Sequence, residues 1–474
     1  MSVSSTTSVS LGISTAVTSE GMTTSESEIY TLDLALTLDT GGVAGDDGMM
    51  LLAGCTDSGG TNGEDSAADQ VTIRFLHLWP EAISAGQYRV VGQIAREYEE
   101  LYPHVSILTE DLENEQYKNK LRILSATNEL PDVGLTWAAG FLSPYVEGKL
   151  FTPLDDLLDS GFADAFIPGT TEAFAIDGHT YALPLEFNVA PIFYNKEIFR
   201  QFRLEIPQTL DELKHVIAVL AEQNFTPIAL GNKDRWTGSL WYMYLADRYA
   251  GQQALADALE GRTSFLSKEL LKAAEEVQAL VDSHAFVRGF NGLSNEEARA
   301  EFLSGRAAMY LIGSWVVPDF TTNADIPLEF RSNVGFFKFP TSSDGRGHID
   351  DWIGGPGVGL FVAENSPVKE EAKRFVQYFV ERWGELSVTE AGVIPATKVD
   401  TSSIDLPQLY LELIDEVNRA RSFTLFADVQ MEAGVAEVHL NQIQALFAKA
   451  VTPEDFSLIH DEAINHRNED FRKN

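Results

Sequence analysis

The sequence predicts an α/β protein built on a parallel β-sheet. Residues 71–79, 105–109 and 131–137 are rich in β-branched and aromatic residues, and stretches with apolar residues at helical spacing separate them. Strands separated by helices of ten or more residues form right-handed βαβ units, which pair in parallel. Ligands of such folds bind at the carboxyl ends of the strands, where Trp79 and Trp137 stand.

The alternation of strand and helix continues towards the C-terminus. Pro103 ends the first helix, and Pro207 and Thr209 begin a later one that runs through Leu220. Further strands are predicted at residues 181–195, 227–231, 307–315 and 354–362. Further helices are predicted at residues 196–200, in most of 240–304 and in most of the remaining chain.

The composition indicates a folded protein that does not bind nucleic acid. Of its 474 residues, 44% are hydrophobic and 22% are charged, which is typical of globular domains. Asp and Glu number 71 against 34 Lys and Arg, a net charge of −37. Such a surface repels phosphate backbones and anionic membrane surfaces, so neither is an expected partner of the folded body.

The sequence carries no signal for a metal or a cofactor. Cys55 is the only cysteine, and the nine histidines are scattered without metal-ligand spacing. The glycines at 354–359 precede a strand rather than a helix, so they do not form a phosphate loop. We therefore expect no metal and no cofactor.

The first 70 residues differ from the rest of the chain. They are rich in Ser, Thr, Gly and Asp, with no Lys or Arg before Arg74, and should be largely disordered. Leu52-Ala53-Gly54-Cys55 resembles a bacterial lipobox, although Asp46 and Asp47 interrupt the apolar stretch expected before it. The resemblance implies that Cys55 is acylated and that the residues after it form a flexible tether.

Tryptophans and carboxylates predict a ligand site. Trp241 and Trp383 fit core positions within helices, whereas the other five tryptophans stand at strand ends or in loops. Aromatic faces beside carboxylates and amides suit sugars, and they also suit cations. The candidate ligand residues are Trp79, Glu81, Asp111, Glu113, Trp137, Glu186, Asn188, Asp234, Trp236, Trp315, Asp351 and Trp352.

From about Val71 onwards, the chain resembles the extracellular solute-binding proteins of bacterial ABC importers, of the maltose- and oligosaccharide-binding class. The residues that carry the resemblance are four segments in the family's order. They are Leu183-Pro-Leu-Glu-Phe-Asn-Val-Ala-Pro-Ile-Phe-Tyr-Asn-Lys-Glu-Ile-Phe199, Leu130-Pro-Asp-Val-Gly-Leu-Thr-Trp137, Phe302-Leu-Ser-Gly-Arg-Ala-Ala-Met309 leading to Gly313-Ser-Trp315, and Gly392-Val-Ile-Pro395.

The resemblance implies a two-lobe periplasmic-binding-protein-like (type II) fold with a hinge and an interlobe cleft. Residues 71–184 and 350–390 would form the N-terminal lobe, and residues 185–340 and 396–474 the C-terminal lobe. The family's sugar-contacting positions carry over to Trp79, Glu81, Trp137, Glu186 and Trp315. The other seven candidates come from chemistry and placement alone.

The resemblance further implies a function and its partners. The chain would bind a sugar, most simply an oligosaccharide, and deliver it to a membrane permease by hinge closure. It would be a monomer without enzymatic activity, periplasmic or lipid-anchored at the extracellular face of the cell membrane. Two alternatives stay open: the same fold binding a polyamine or another non-sugar solute, and a secreted carbohydrate-active enzyme that uses paired carboxylates.

Overall fold

The computed structural model describes residues 70–159, 161–401 and 404–471, with side chains described through His466. Cys55 and residues 1–69 lie outside this part of the chain, so the acylated cysteine and its tether stay predictions.

Short strands and longer helices alternate along the described chain, as predicted. The strands are β1 (Val71–His77), β2 (Val105–Asp111), β3 (Val133–Trp137), β4 (Ala175–Ile176), β5 (His179–Thr180), β6 (Leu183–Pro184), β7 (Phe187–Val189), β8 (Ile192–Asn195), β9 (Thr226–Ala229), β10 (Ala307–Leu311), β11 (Val334–Phe337), β12 (Asp351–Pro356), β13 (Val358–Val362) and β14 (Ser422–Thr424). The helices are α1 (Glu81–Leu101), α2 (Asn114–Thr127), α3 (Ala139–Glu147), α4 (Asp155–Leu158), α5 (Lys196–Phe202), α6 (Leu210–Glu222), α7 (Trp236–Ala250), α8 (Gln253–Leu259), α9 (Lys268–Asp282), α10 (Asn295–Leu303), α11 (Val317–Phe320), α12 (Leu328–Ser332), α13 (Lys369–Leu386), α14 (Gln408–Asn418), α15 (Ala427–Gln430), α16 (Ala433–Phe447) and α17 (Pro453–Phe471).

A five-stranded sheet in the order β2-β1-β3-β13-β6 organises the first part of the chain. β1 runs parallel to β2, with Val71 opposite Val105, and parallel to β3, as the sequence predicts. β13 is antiparallel to both β3 and β6, so the sheet is mixed. Phe75 packs edge-on against Phe375 and Phe379, with ring centroids 5.9 and 5.4 Å away, so α13 covers one face of the sheet.

A second sheet has the order β11-β8-β10-β9. β8 is antiparallel to both of its neighbours, and β9 is parallel to β10. Helix α7 is buried along its whole length from Thr237 to Tyr249, including the polar residues Asp247 and Arg248 near its end. Trp241 in α7 and Trp383 in α13 are buried, which confirms them as core residues.

A small third sheet, β14-β12-β7, lies where the chain passes between the two larger sheets. β7 follows β6 of the first sheet and precedes β8 of the second, and β12 leads directly into β13. β7 and β12 are antiparallel, with Gly354 opposite Val189 and Gly355 opposite Asn188. The segments that connect the two larger sheets are called the crossing segments. A backbone bridge between Glu186 and Pro395 adds the segment around Pro395 as a third one. The architecture is therefore the expected two-lobe α/β fold.

The five-stranded sheet is mixed rather than purely parallel, and three segments of the chain also differ from the sequence prediction. Residues 181–195 form three short strands rather than one, because β6, β7 and β8 each pair with strands of a different sheet. The strand at 307–315 ends at Leu311, and Trp315 lies in the following 3₁₀ turn. The strand predicted at residues 354–362 is divided at Gly357, because β12 belongs to the third sheet and β13 to the five-stranded sheet.

Candidate functional site

A cavity lies where the ends of strands from the two larger sheets meet. Its empty volume is about 1360 Å³, part of it open to solvent. Residues from both sheets and from the crossing segments line it: the turn after β1, the end of β3, the start of β7, the start of α7 and the turn after β10. This is the position at which α/β folds bind ligands.

Four tryptophans supply aromatic surface to the cavity, namely Trp79, Trp137, Trp236 and Trp315. The rings of Trp236 and Trp315 meet edge to face, with centroids 5.9 Å apart at 65°. Trp79 stacks on the core residue Trp383 at 4.7 Å and is only 3% exposed, so it forms the cavity wall rather than a free face.

Local sequence fixes the position of Trp315. A Cβ on Gly313 would lie 2.0 Å from the Trp315 ring, so only glycine leaves room for that ring. The intervening Ser314 donates from Oγ to Asn188 Oδ1 at 3.0 Å and accepts from the Val189 N–H at 3.2 Å. The turn after β10 is thereby tied to the crossing strand β7.

Glu186 carries an unpartnered oxygen at the cavity wall. Its Oε2 accepts a hydrogen bond from Asn188 Nδ2 at 3.3 Å, whereas its buried Oε1 has no partner. Burial raises the pKa of this carboxyl to about 7. Trp236 Nε1 is a second buried polar atom without a partner. Two residues that line the cavity therefore each bury a polar atom without a hydrogen-bond partner.

Several charged residues on the cavity wall already have partners. Arg299 donates to both carboxylate oxygens of Asp319 at 2.6 Å, and Glu113 accepts from the first backbone N–H groups of α2. Lys118 Nζ lies 4.9 Å from the centroid of the Trp137 ring. Burial raises the pKa of Asp428, which also lines the cavity.

Seven of the twelve predicted residues line the cavity: Trp79, Glu113, Trp137, Glu186, Asn188, Trp236 and Trp315. The other five, Glu81, Asp111, Asp234, Asp351 and Trp352, are not part of its lining.

Three of these five have positions that correct the expectation from sequence. Trp352 is 1% exposed and packs within an apolar cluster. Asp351 accepts hydrogen bonds from the His348 N–H and from Ser422 Oγ, at 2.7 and 2.8 Å. Asp234 accepts from the Asn295 N–H at 2.7 Å. Their side chains serve the packing of the protein instead of the cavity.

The sequence interpretation missed several residues of the cavity wall. Phe426 and Asp428 come from the segment after β14, far from the other lining residues in sequence. Ser239 and Met243 lie three and seven residues after Trp236, a helical spacing that could have identified them.

Two further observations concern the described part of the chain. It contains no group of three or more His, Cys, Asp or Glu side chains that could hold a metal ion. None of its helices is both long and apolar enough to span a membrane.

A two-lobe α/β fold with a tryptophan-lined cavity at the crossing strands defines a solute-binding protein. The sequence profile of the bacterial extracellular solute-binding protein family matches residues 83–382, which is more than half of the chain. The chain belongs to this family.

Individual relatives agree with the family assignment. A structure from work on xylan utilization by Caldanaerobius polysaccharolyticus is 31% identical, with a TM-score of 0.78, over 83% of this chain and 99% of that one. A chitin oligosaccharide binding protein is 23% identical, with a TM-score of 0.76, over 84% of this chain and 100% of its own. The multiple sugar-binding protein of Streptococcus mutans is 22% identical over 69% of this chain and 75% of its own.

Proposed function

We propose that the chain binds an oligosaccharide outside the cell and delivers it to the membrane permease of an ABC importer. The observation that carries this proposal is the pairing of the Trp236 and Trp315 rings with two unpartnered polar atoms, Glu186 Oε1 and Trp236 Nε1. The names of the relatives, which refer to xylan, chitin oligosaccharides and multiple sugars, support the same ligand class.

The binding chemistry follows from these groups. A sugar ring offers a flat C–H face to an indole, and the apolar surface that this contact buries contributes about 25 cal/mol per Å². A sugar hydroxyl donates to Glu186 Oε1 and another accepts from Trp236 Nε1, which removes the cost of leaving buried polar atoms unpaired. A ligand that contacts both lobes favours the closed form, because it binds that form more tightly than the open one.

The test is isothermal titration of the full chain with xylo-, chito- and malto-oligosaccharides. We expect one class to bind, and Trp236→Ala to weaken its binding by tenfold or more. Tyr102→Ala is the matched control, because Tyr102 is an exposed aromatic outside the cavity lining. Failure of every sugar to bind would contradict the proposal, and breakdown of the sugar during the titration would indicate an enzyme.

A polyamine is the second candidate ligand, because carboxylates outnumber bases on the cavity wall. The carboxylates are Glu113, Glu186, Glu296, Asp319 and Asp428, and the bases are Arg89, Lys118 and Arg299. Titration with spermidine under the same conditions distinguishes a polyamine-binding protein from a sugar-binding one. Polyamine binding would weaken steeply with salt, whereas binding of a neutral sugar would not.

We also propose that Cys55 carries a lipid anchor that holds a monomeric binding protein at the extracellular face of the cell membrane. The lipobox-like residues and the polar stretch that follows them support this location. Expression of Cys55→Ser in a bacterial host should move the protein from the membrane fraction to the soluble fraction. An unchanged distribution would exclude acylation as the cause of membrane association.

A further inference from the structure

Behind the cavity, a chain of hydrogen bonds joins three buried side chains from three helices. Ser239 Oγ in α7 lies 2.7 Å from Nε2 of His439 in α16, and His439 Nδ1 lies 2.9 Å from Nε2 of His460 in α17. His460 Nδ1 ends the chain, 2.7 Å from the carbonyl oxygen of Phe456. Both histidines are fully buried, and neither lines the cavity.

The Phe456 carbonyl oxygen determines which atom donates in each of these three hydrogen bonds. A carbonyl oxygen only accepts, so His460 Nδ1 must carry the proton and its Nε2 must be the acceptor of a neutral ring. His439 Nδ1 must then donate to His460, which leaves His439 Nε2 as an acceptor. Ser239 therefore has to donate its hydroxyl proton to His439.

The surroundings keep both imidazoles neutral. Burial lowers the pKa of His460 to about 4 and that of His439 well below its ordinary value. Phe265 stacks on the His460 ring at 4.7 Å, and the Tyr242 ring lies 6.2 Å from that of His439. The carboxylate of Asp461, whose charge acts in the opposite direction on His460, already accepts hydrogen bonds from Ser264 Oγ and the Phe265 N–H.

Ser239 belongs both to this series of hydrogen bonds and to the cavity lining. It lines the cavity together with Trp236, Leu240 and Met243, which share its face of α7 at spacings of three and four residues. The hydroxyl oxygen retains acceptor capacity after donating its proton to His439.

We propose that Ser239 acts in the ligand cavity only as a hydrogen-bond acceptor, because His439 and His460 commit its proton to the protein interior. Ser239 therefore selects a ligand group that donates, such as a sugar hydroxyl, and disfavours one that only accepts. His439 and His460 are positioning residues that act through Ser239. This specificity rests on the proposed function, but the direction of the hydrogen bonds does not.

Nitrogen NMR of the ligand-free full chain at pH 7 tests the direction of the bonds. We expect both histidines to be neutral, with the proton on Nδ1 and a bare Nε2. A proton on Nε2 of His439, or an imidazolium at either position, would overturn the proposal. This measurement uses the unmodified protein, so it does not depend on which ligand binds or on how a variant folds.

The selection of a hydrogen-bond donor by Ser239 is tested with the oligosaccharide that binds and with its deoxy and deoxyfluoro analogues. For one hydroxyl of the sugar, the deoxy analogue and the deoxyfluoro analogue should both bind wild-type protein about tenfold more weakly than the parent sugar. The reason is that neither replacement of the hydroxyl can donate a hydrogen bond. Ser239→Ala should bind the parent sugar and these two analogues equally, whereas the exposed control Ser304→Ala should behave as wild type.

Two results would refute selection by Ser239. One is an unchanged analogue profile in Ser239→Ala, and the other is wild-type preference for the fluoro analogue at every position. Absence of any sugar binding would refute the proposed function, and with it the selection of a sugar hydroxyl, while the NMR result would still decide the direction of the bonds.

Discussion

Arg299 Nη2 donates a hydrogen bond to the carbonyl oxygen of Ile83, 2.9 Å away, and this bond joins the two sides of the cavity. Ile83 belongs to α1, which packs beside the five-stranded sheet, and Arg299 belongs to α10, beside the second sheet. Ser84, directly after Ile83, departs from helical geometry at φ −131° and ψ 50°. Separation of the two sides must break this bond.

Arg299→Ala should destabilise the protein by about 3–5 kcal/mol, because the buried carboxylate of Asp319 loses its bidentate partner. It should also weaken ligand binding, since the contact with Ile83 is lost. Urea unfolding measures the first effect and ligand titration the second. Arg306→Ala removes an exposed arginine paired with Glu301 and should leave the free energy of unfolding nearly unchanged. Equal effects of the two variants would contradict this prediction.

Gly313→Ala should displace the Trp315 ring, because the added Cβ would lie 2.0 Å from it. We expect weaker ligand binding and a changed near-UV circular dichroism spectrum, since the Trp236–Trp315 pair is disturbed. Gly292→Ala is the control, because a Cβ there meets no atom within 4 Å. Wild-type affinity and spectrum in Gly313→Ala would show that the ring adapts without consequence.

Glu186 makes stability depend on pH in a defined direction. Its pKa rises from 4.5 to about 7 on folding, so the folded protein binds more protons than the unfolded chain between these values. The free energy of unfolding therefore falls by about 3 kcal/mol as the pH rises through this window.

Glu186→Gln should remove this dependence. Its free energy of unfolding should match that of wild type near pH 4 and exceed it near pH 8, as measured by urea unfolding at both values. Glu381→Gln, at an exposed position in α13, should show the same difference from wild type at both values. A wild-type pH profile in Glu186→Gln would assign the effect to another group.

Arg248→Met should be strongly destabilising, although methionine fits an apolar interior. The guanidinium is fully buried and donates to the backbone carbonyls of Phe339, Pro340 and Asp351 at 2.9–3.2 Å. Each carbonyl left unpaired costs about 1–3 kcal/mol, so we expect a loss above about 3 kcal/mol in chemical denaturation. A loss below about 1 kcal/mol would show that water replaces the guanidinium.

The sequence predicted the elements well where hydrophobic periodicity is strong. β1, β2 and β3 and the helices between them lie where predicted, because alternating and helical patterns there are uninterrupted. The segment 181–195 was less predictable, since its three short strands join three different sheets whose other strands are distant in the chain. The antiparallel pairing of β13 depends on residues distant in the chain, which no local pattern reports.

Only some of the residues that line the cavity were predicted from the sequence, and the reason differs from that for the strands. A tryptophan at the carboxyl end of a strand, such as Trp137, lies at the edge of the sheet that borders the cavity. An acid and a tryptophan that are adjacent in sequence do not reveal which of their side chains faces a cavity. Asp351 and Trp352 were therefore predicted as ligand residues, whereas both are buried in the protein. Asp428 enters the cavity through tertiary structure alone.

The position of β13 between β3 and β6 has a consequence for biosynthesis. The first sheet needs a strand that is made only when residue 362 has been synthesised, although its other strands lie within residues 71–184. Non-local pairing of this kind is slow, because a long stretch of chain must close before the strand contributes. The five-stranded sheet therefore cannot be completed until the chain has been synthesised through residue 362.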